Sequence, residues 1–174
     1  HRGDKMEYLV SMSSKEASMR KFAEEKFGKC SEGTERYYKK GDMNSTLIKT
    51  HKGKTILLQH STSLPRPKSM LHSIAGTKGF MQKYPLIRVA IEPSPHKFMS
   101  DKEHNLLLYK YSHPVFKGIQ EKARKVGGHG GMDFIMDYRL IYCLKNGLPL
   151  DMDVYDAAES SSIIELSKVS ANNQ

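Results

Sequence analysis

Four glycines surround one histidine at Gly127-Gly-His129-Gly-Gly131, and Asp133 follows two residues later. Such a run frees the backbone for positive φ angles, and it brings an imidazole, which exchanges protons near neutral pH, to the start of a helix. A second stretch, Ser63-Leu-Pro-Arg-Pro-Lys-Ser69, sets Arg66 and Lys68 in a loop stiffened by two prolines. Loops of that kind fix side chains at a sheet edge.

Other chemistries find less support. A dinucleotide site needs its glycine turn straight after a buried strand. Gly127 to Gly131 follows a basic helical segment, and its spacing is not G-x-G-x-x-G, so no cofactor-binding residue is assigned. Because the loop precedes a helix, weak anion binding stays open; the plainer reading is a tight turn buttressed by His129. Asp133, Asp137, Asp151, Asp153 and Asp156 offer carboxylate pairs, but an i, i+4 pair such as Asp133 and Asp137 is usually a solvated helix face. His51, His60 and His72 fall on expected neighbouring strands without a carboxylate or cysteine at ligand spacing, so no metal is expected. Cys30 and Cys143 stand far apart, and no CxxC occurs.

The elements that must position these residues are legible as periods. Met132, Ile135, Met136, Leu140, Cys143 and Leu144 recur at helical spacing as one apolar stripe, Gly147 stands at the C-cap with Pro149 beyond, and Asp151 or Asp153 can cap a following helix. Two packed helices joined by a tight turn are predicted. Ser13-Ser-Lys-Glu16 reads as a capping box for a helix carrying Met19, Phe22, Ala23 and Phe27 and ending at Gly28. Lys29 to Lys40 reads as a polar loop whose Tyr37-Tyr38 pair serves packing or stacking on a ligand.

From Asp42 the period becomes two. Met43 to Thr50 and Thr55 to Thr62 make a hairpin, Ser69 to Ile74 and Phe80 to Gln82 a second, and Leu86 to Ile91 a further strand. Ser100-Asp-Lys-Glu103 opens another helix, His113-Pro114 interrupts it, and Val115 to Lys125 continues as a basic helix. The fold class is α+β: an open, mostly antiparallel sheet covered by helices on one face, in a single domain over residues 1–174. The open face would need a partner.

Composition narrows the field. A net charge of +9 raises nucleic acid or another polyanion as a partner, yet Lys and Arg are scattered and no block of five like charges occurs. No nucleic-acid partner is expected, and a basic polyanion-binding module is the lesser alternative. There is no apolar run of about 18 residues and hence no transmembrane helix. His1-Arg-Gly-Asp reads as the interior of a longer protein.

The run Gly-Gly-His-Gly-Gly-Met-Asp-Phe134, together with Arg139-Leu-Ile-Tyr-Cys-Leu-Lys-Asn-Gly-Leu-Pro-Leu-Asp-Met-Asp-Val-Tyr-Asp-Ala-Ala158, resembles the C-terminal domain of the NAD-dependent α-N-acetylgalactosaminidases. These form glycoside hydrolase family 109 within the Gfo/Idh/MocA oxidoreductase superfamily, and the resemblance covers nearly the whole chain. It implies a carbohydrate substrate and a sheet serving as substrate wall and oligomer interface. It also implies NAD bound by an N-terminal Rossmann domain lying outside these residues. In that chemistry NAD oxidises the sugar C3 hydroxyl, the glycoside leaves by elimination, water adds and the hydride returns. The domain alone is therefore expected to be inactive.

The resemblance places Lys68 where the family has a tyrosine that touches the sugar, and Ser160 where it usually has tryptophan. A lysine can hydrogen-bond a sugar hydroxyl or hold a carboxylate, so altered preference is as consistent as lost activity. Substrate-binding candidates are Arg66, Lys68 and His129, with no complete catalytic set. The alternative is a domain of a sugar dehydrogenase or non-catalytic relative. Localisation is not readable from this chain, and an exported bacterial location is implied by the resemblance only.

Overall fold

The structure, a computed structural model, describes residues 3–39, 41–61, 63–67 and 69–173. In chain order its elements are β1 (Met6–Ser13), α1 (Ser18–Phe27), α2 (Glu32–Glu35), β2 (Asn44–Thr50), β3 (Thr55–His60), β4 (Ser73–Gly76), β5 (Gly79–Gln82), β6 (Arg88–Ile91), α3 (Asp101–Tyr111), α4 (Pro114–Val126), a 3-10 turn (His129–Gly131), α5 (Met132–Lys145) and α6 (Val154–Asn172). The α+β class with antiparallel pairing holds. The strands divide between two three-stranded sheets, β1-β2-β3 and β4-β5-β6. Contacts gather into two units, one ending at Pro65 and resuming at Met152, the other Arg66–Asp151.

In the first unit α6 covers one face of its sheet. Strand side chains alternate between faces, so the face toward α6 collects Ser11, Thr46, Ile48 and Thr50, all buried. A hydroxyl chain ties the layers: Ser11 Oγ lies 2.9 Å from Thr46 Oγ1, which donates to Ser167 Oγ of α6 at 3.0 Å. The opposite face keeps Tyr8, Val10, Met12, Leu47 and Leu57 exposed.

β1 was not foreseen, and it displaces the predicted cap of the first helix. Ser13 ends β1, and α1 starts at Ser18 with no side-chain bond from its own N-cap, Ala17. Asp42, arriving just before β2, caps the helix: its carboxylate accepts the N–H groups of Ala17 and Ser18, each at 3.0 Å. A long-range carboxylate on the positive end of a helix substitutes for the local serine.

The Ser18 N–H, foremost, holds the Asp42 carboxyl below its ordinary value of 3.8. The unfolded chain therefore takes up a proton there before the folded one does, so the stabilisation is present above about pH 4 and lost as pH falls through the lowered folded value. Urea midpoints measured downward from about pH 5 should decline, and Asp42→Asn should flatten that decline. An unchanged slope in the variant would remove Asp42 from this role.

In the second unit the Ser100 box forms as predicted, Ser100 N donating to Glu103 Oε2 at 2.9 Å. The Ser100 hydroxyl and backbone hold the Glu103 carboxyl low. His113 caps α4 and Pro114 occupies its first turn. α5 ends as predicted: Leu148 N donates to Cys143 O at 2.9 Å and Gly147, at φ 62°, to Leu144 O at 3.4 Å. Asp153 caps α6, its Oδ1 accepting Tyr155 N at 2.8 Å.

The stripe predicted on α5 is a correction. Cys143 is buried, whereas Met132, Met136, Leu140 and Leu144 are exposed. Apolar side chains, Phe134, Tyr138, Ile141 and Tyr142 among them, stand around the whole helix, so the heptad-like spacing does not define a buried side. The two helices of the predicted pair fall in different units, α5 in one and α6 in the other.

Candidate functional site

The glycine-histidine loop is built from the end of α4. Gly127 closes that helix at φ 89°, and Gly128, His129, Gly130 and Gly131 follow at 72°, 46°, 73° and 96°. Five successive positive φ angles make a tight left-handed run that only glycine adopts freely. Among the described residues His129 is the one non-glycine with positive φ. Gly131 is also required by space, since a Cβ there would lie 2.6 Å from the backbone carbon of Ala123; one on Gly128 would meet only the Asp133 side chain, 2.8 Å from its Oδ2.

The loop delivers His129 onto the first turn of α5. Its Nδ1 lies 2.9 Å from Asp133 Oδ2 and 3.2 Å from Oδ1. The pair sits at the surface, the histidine side chain 76% exposed and the aspartate 47%. Asp133 thus orients the ring from one nitrogen and leaves Nε2 turned to other partners. The arrangement can bind a hydroxyl, accept its proton, or return one. One donor that a free anion would use is engaged, Gly131 N donating to Gly128 O at 2.8 Å, and Asp133 supplies negative charge at the helix start.

Sequence reading placed Asp133 with Asp137 on a solvated face and missed its tie to His129. The signal was present in the i, i+4 spacing from His129 to Asp133, obscured because the first residue lies in a turn. Arg66 is exposed in its loop, and Lys68 lies outside the described residues. No hydrogen bond or ion pair among the described residues joins Arg66 to His129. Tyr37 is exposed, while the Tyr38 hydroxyl donates to Gly33 O at 3.0 Å, a packing role.

The remaining expectations resolve by position. His51 follows β2, His60 ends β3, and His72 precedes β4 in the other unit, so the three do not share neighbouring strands. Among the described residues no group of three metal-ligating side chains is brought together. Cys30 is exposed, Cys143 is buried, and both are free. No helix is long and apolar enough to cross a membrane.

Further along α5, Phe134, Tyr138 and Tyr142 form a ladder of rings with centroids 6.4 Å apart at each step. Arg139 lies beside Tyr142 and makes a two-pronged bond to Asp151, at 3.0 and 3.1 Å, which raises the guanidinium pKa. A shallow open hollow of about 620 Å³ lies on the β4-β5-β6 sheet, lined by Ile74, Phe80, Met81, Val89 and Ile91. Neither Arg66 nor His129 lines it.

The fold is α+β, and the turn that opens α5 carries a surface His–Asp pair. The family model described as "Glycosyl hydrolase 109, C-terminal domain" matches residues 1–174, and the chain belongs to that family. It is 50% identical over 168 residues to "Glycosyl hydrolase family 109 protein 2" of Phocaeicola vulgatus, covering 97% of this chain and 41% of that protein. It is 49% identical over 173 residues to "Alpha-N-acetylgalactosaminidase" of Bacteroides fragilis, covering 99% and 41%. A family 109 protein of Porphyromonas gingivalis is 43% identical over 187 residues, covering 99% and 39%. The chain spans about two fifths of the length of these relatives.

Proposed function

We propose that this chain is the substrate-side domain of an NAD-dependent glycoside hydrolase acting on α-N-acetylgalactosaminides, inactive without the rest of the protein. The observation that carries the reading is the full-length match to the family 109 C-terminal domain, joined to near-50% identity with a protein named for that activity. The chain holds no nucleotide-binding turn, so NAD, which would supply hydride removal and return, falls to residues outside 1–174. What this domain contributes is contact with the sugar: His129, oriented by Asp133, as a hydroxyl partner, with Arg66 and Lys68 on the proline loop.

The open sheet face of β1-β2-β3, with Tyr8, Val10, Met12, Leu47 and Leu57 exposed, is the proposed seat of a second copy. A strictly monomeric scattering mass for the whole protein would contradict that assignment.

The test of function joins residues 1–174 to their upstream sequence and assays an aryl α-N-acetylgalactosaminide, with bound NAD measured by mass spectrometry of the denatured protein. Cleavage with stoichiometric NAD is expected, and residues 1–174 alone should show none. No cleavage and no NAD would overturn the reading. The change from the family's tyrosine to Lys68 favours a second reading, a dehydrogenase or non-catalytic relative, for which NAD would bind and the glycoside would survive.

A further inference from the structure

The loop that carries Arg66 and Lys68 leaves the end of β3 at Ser61. Among the described residues, 61–67 make one hydrogen bond, in which the Ser63 hydroxyl donates to Asp42 Oδ1 at 3.3 Å. The acceptor lies 21 residues earlier in the chain, within the same unit as Ser63. A proline-stiffened loop is thus fastened at its base alone.

Asp42 is itself held from several sides. Its side chain is buried, and its Oδ2 accepts the N–H groups of Ala17 and Ser18, each at 3.0 Å. Next to it, Ser14 N donates to Met43 O at 2.8 Å and Met43 N donates to Ser14 Oγ at 3.0 Å. On its other side Gly41, at φ 61°, approaches so closely that a Cβ there would stand 1.9 Å from Ser14 O. Asp42 cannot follow the loop, so the loop must follow Asp42.

Beyond Ser63 the chain has few rotations left. Pro65 and Pro67 fix φ at two positions, and each restricts the residue before it, Leu64 and Arg66. A rotation at Ser63 is therefore passed on to Arg66 rather than absorbed. The choice of a carboxylate fits this double duty. A serine or asparagine would cap the helix about as well, but two carboxylate oxygens offer enough acceptor sites for the helix and the loop together.

We propose that Asp42 is a positioning residue for the sugar site, acting through Ser63 to set the direction in which the proline loop presents Arg66 and Lys68. This rests on the reading above in which those two side chains meet the sugar. Asp42 itself touches no substrate.

Titration calorimetry of the whole protein with N-acetylgalactosamine tests the assignment, together with kinetics on the aryl glycoside. Ser63→Ala removes the fastening and leaves the cap of α1 in place. It should weaken sugar binding about tenfold, as a small misplacement of binding groups does. KM should rise by a like factor while kcat stays within about twofold, because the loop's contacts are made before the reaction as well as during it. Ser63→Thr, which keeps the hydroxyl, should restore both. The decisive comparison is made in a protein already carrying Arg66→Ala and Lys68→Ala. There Ser63→Ala should change affinity by less than about twofold, since the loop has nothing left to position.

The same tenfold loss in that background would overturn the assignment, because the effect would not pass through the loop. So would unchanged affinity in Ser63→Ala with a lowered melting temperature, which makes the bond a structural tie only. An unsubstituted whole protein that binds neither the sugar nor NAD would remove the functional reading, and the role of Asp42 with it. One that binds and cleaves yet is indifferent to Ser63→Ala would remove Asp42 alone.

Discussion

Gly131→Ala is expected to break the junction of α4 and α5. At φ 96° an alanine meets left-handed strain of about 1–2 kcal/mol, and its Cβ would stand 2.6 Å from the Ala123 backbone carbon and 2.9 Å from Arg124 N. Those are main-chain atoms inside a helix, so they cannot swing aside; the forced shift adds about 1–3 kcal/mol. Gly130→Ala is the matched control, since φ there is 73° and nothing lies within 4 Å of the added carbon. It should cost the strain alone. Urea midpoints of the two variants would separate the terms, and equal losses would mean that close approach to α4 is not what requires glycine at 131. In the whole protein, Gly131→Ala should also lower the proposed glycosidase activity, because the same turn sets His129 against Asp133.

Ile48→Ala should be the most damaging truncation in the first unit. Ile48 is 1% exposed, the largest fully buried side chain among the described residues, and lies between the sheet and α6. Removing it should cost about 2–5 kcal/mol, the range for deleting a buried aliphatic side chain. Its neighbour Leu47 points to the opposite face and is 52% exposed, so Leu47→Ala should stay within about 0.5 kcal/mol. Chemical denaturation at low protein concentration measures both without help from a second copy. If Leu47 costs as much as Ile48, the assignment of covered and open faces is reversed.

Local chemistry was readable wherever a structure closes on itself within a few residues. The Ser100–Glu103 box, the proline start of α4, the Gly147 cap and the Asp153 cap each use atoms that the chain order already places within reach. The β2-β3 hairpin was legible for the same reason, a period of two on either side of a glycine turn. Resemblance in the Gly127–Ala158 stretch also carried the family before any coordinate was known.

What depended on distance in sequence was not readable. The cap of α1 comes from Asp42, 24 residues beyond the N–H it accepts, and no local pattern distinguishes it from the serine that looked suitable. β1 pairs with β2 across the intervening helices and is guarded by Glu159 and Ser170 from the far end of the chain. Period alone could not say whether the stripe on α5 is covered, because burial is set by what arrives from elsewhere. The residue types thus determined the helices, the hairpins and the loop that carries His129. Only the tertiary structure decided that Asp133 orients that histidine and that one edge of the first sheet is sealed. Those choices join groups whose separation along the chain carries no information about their separation in space.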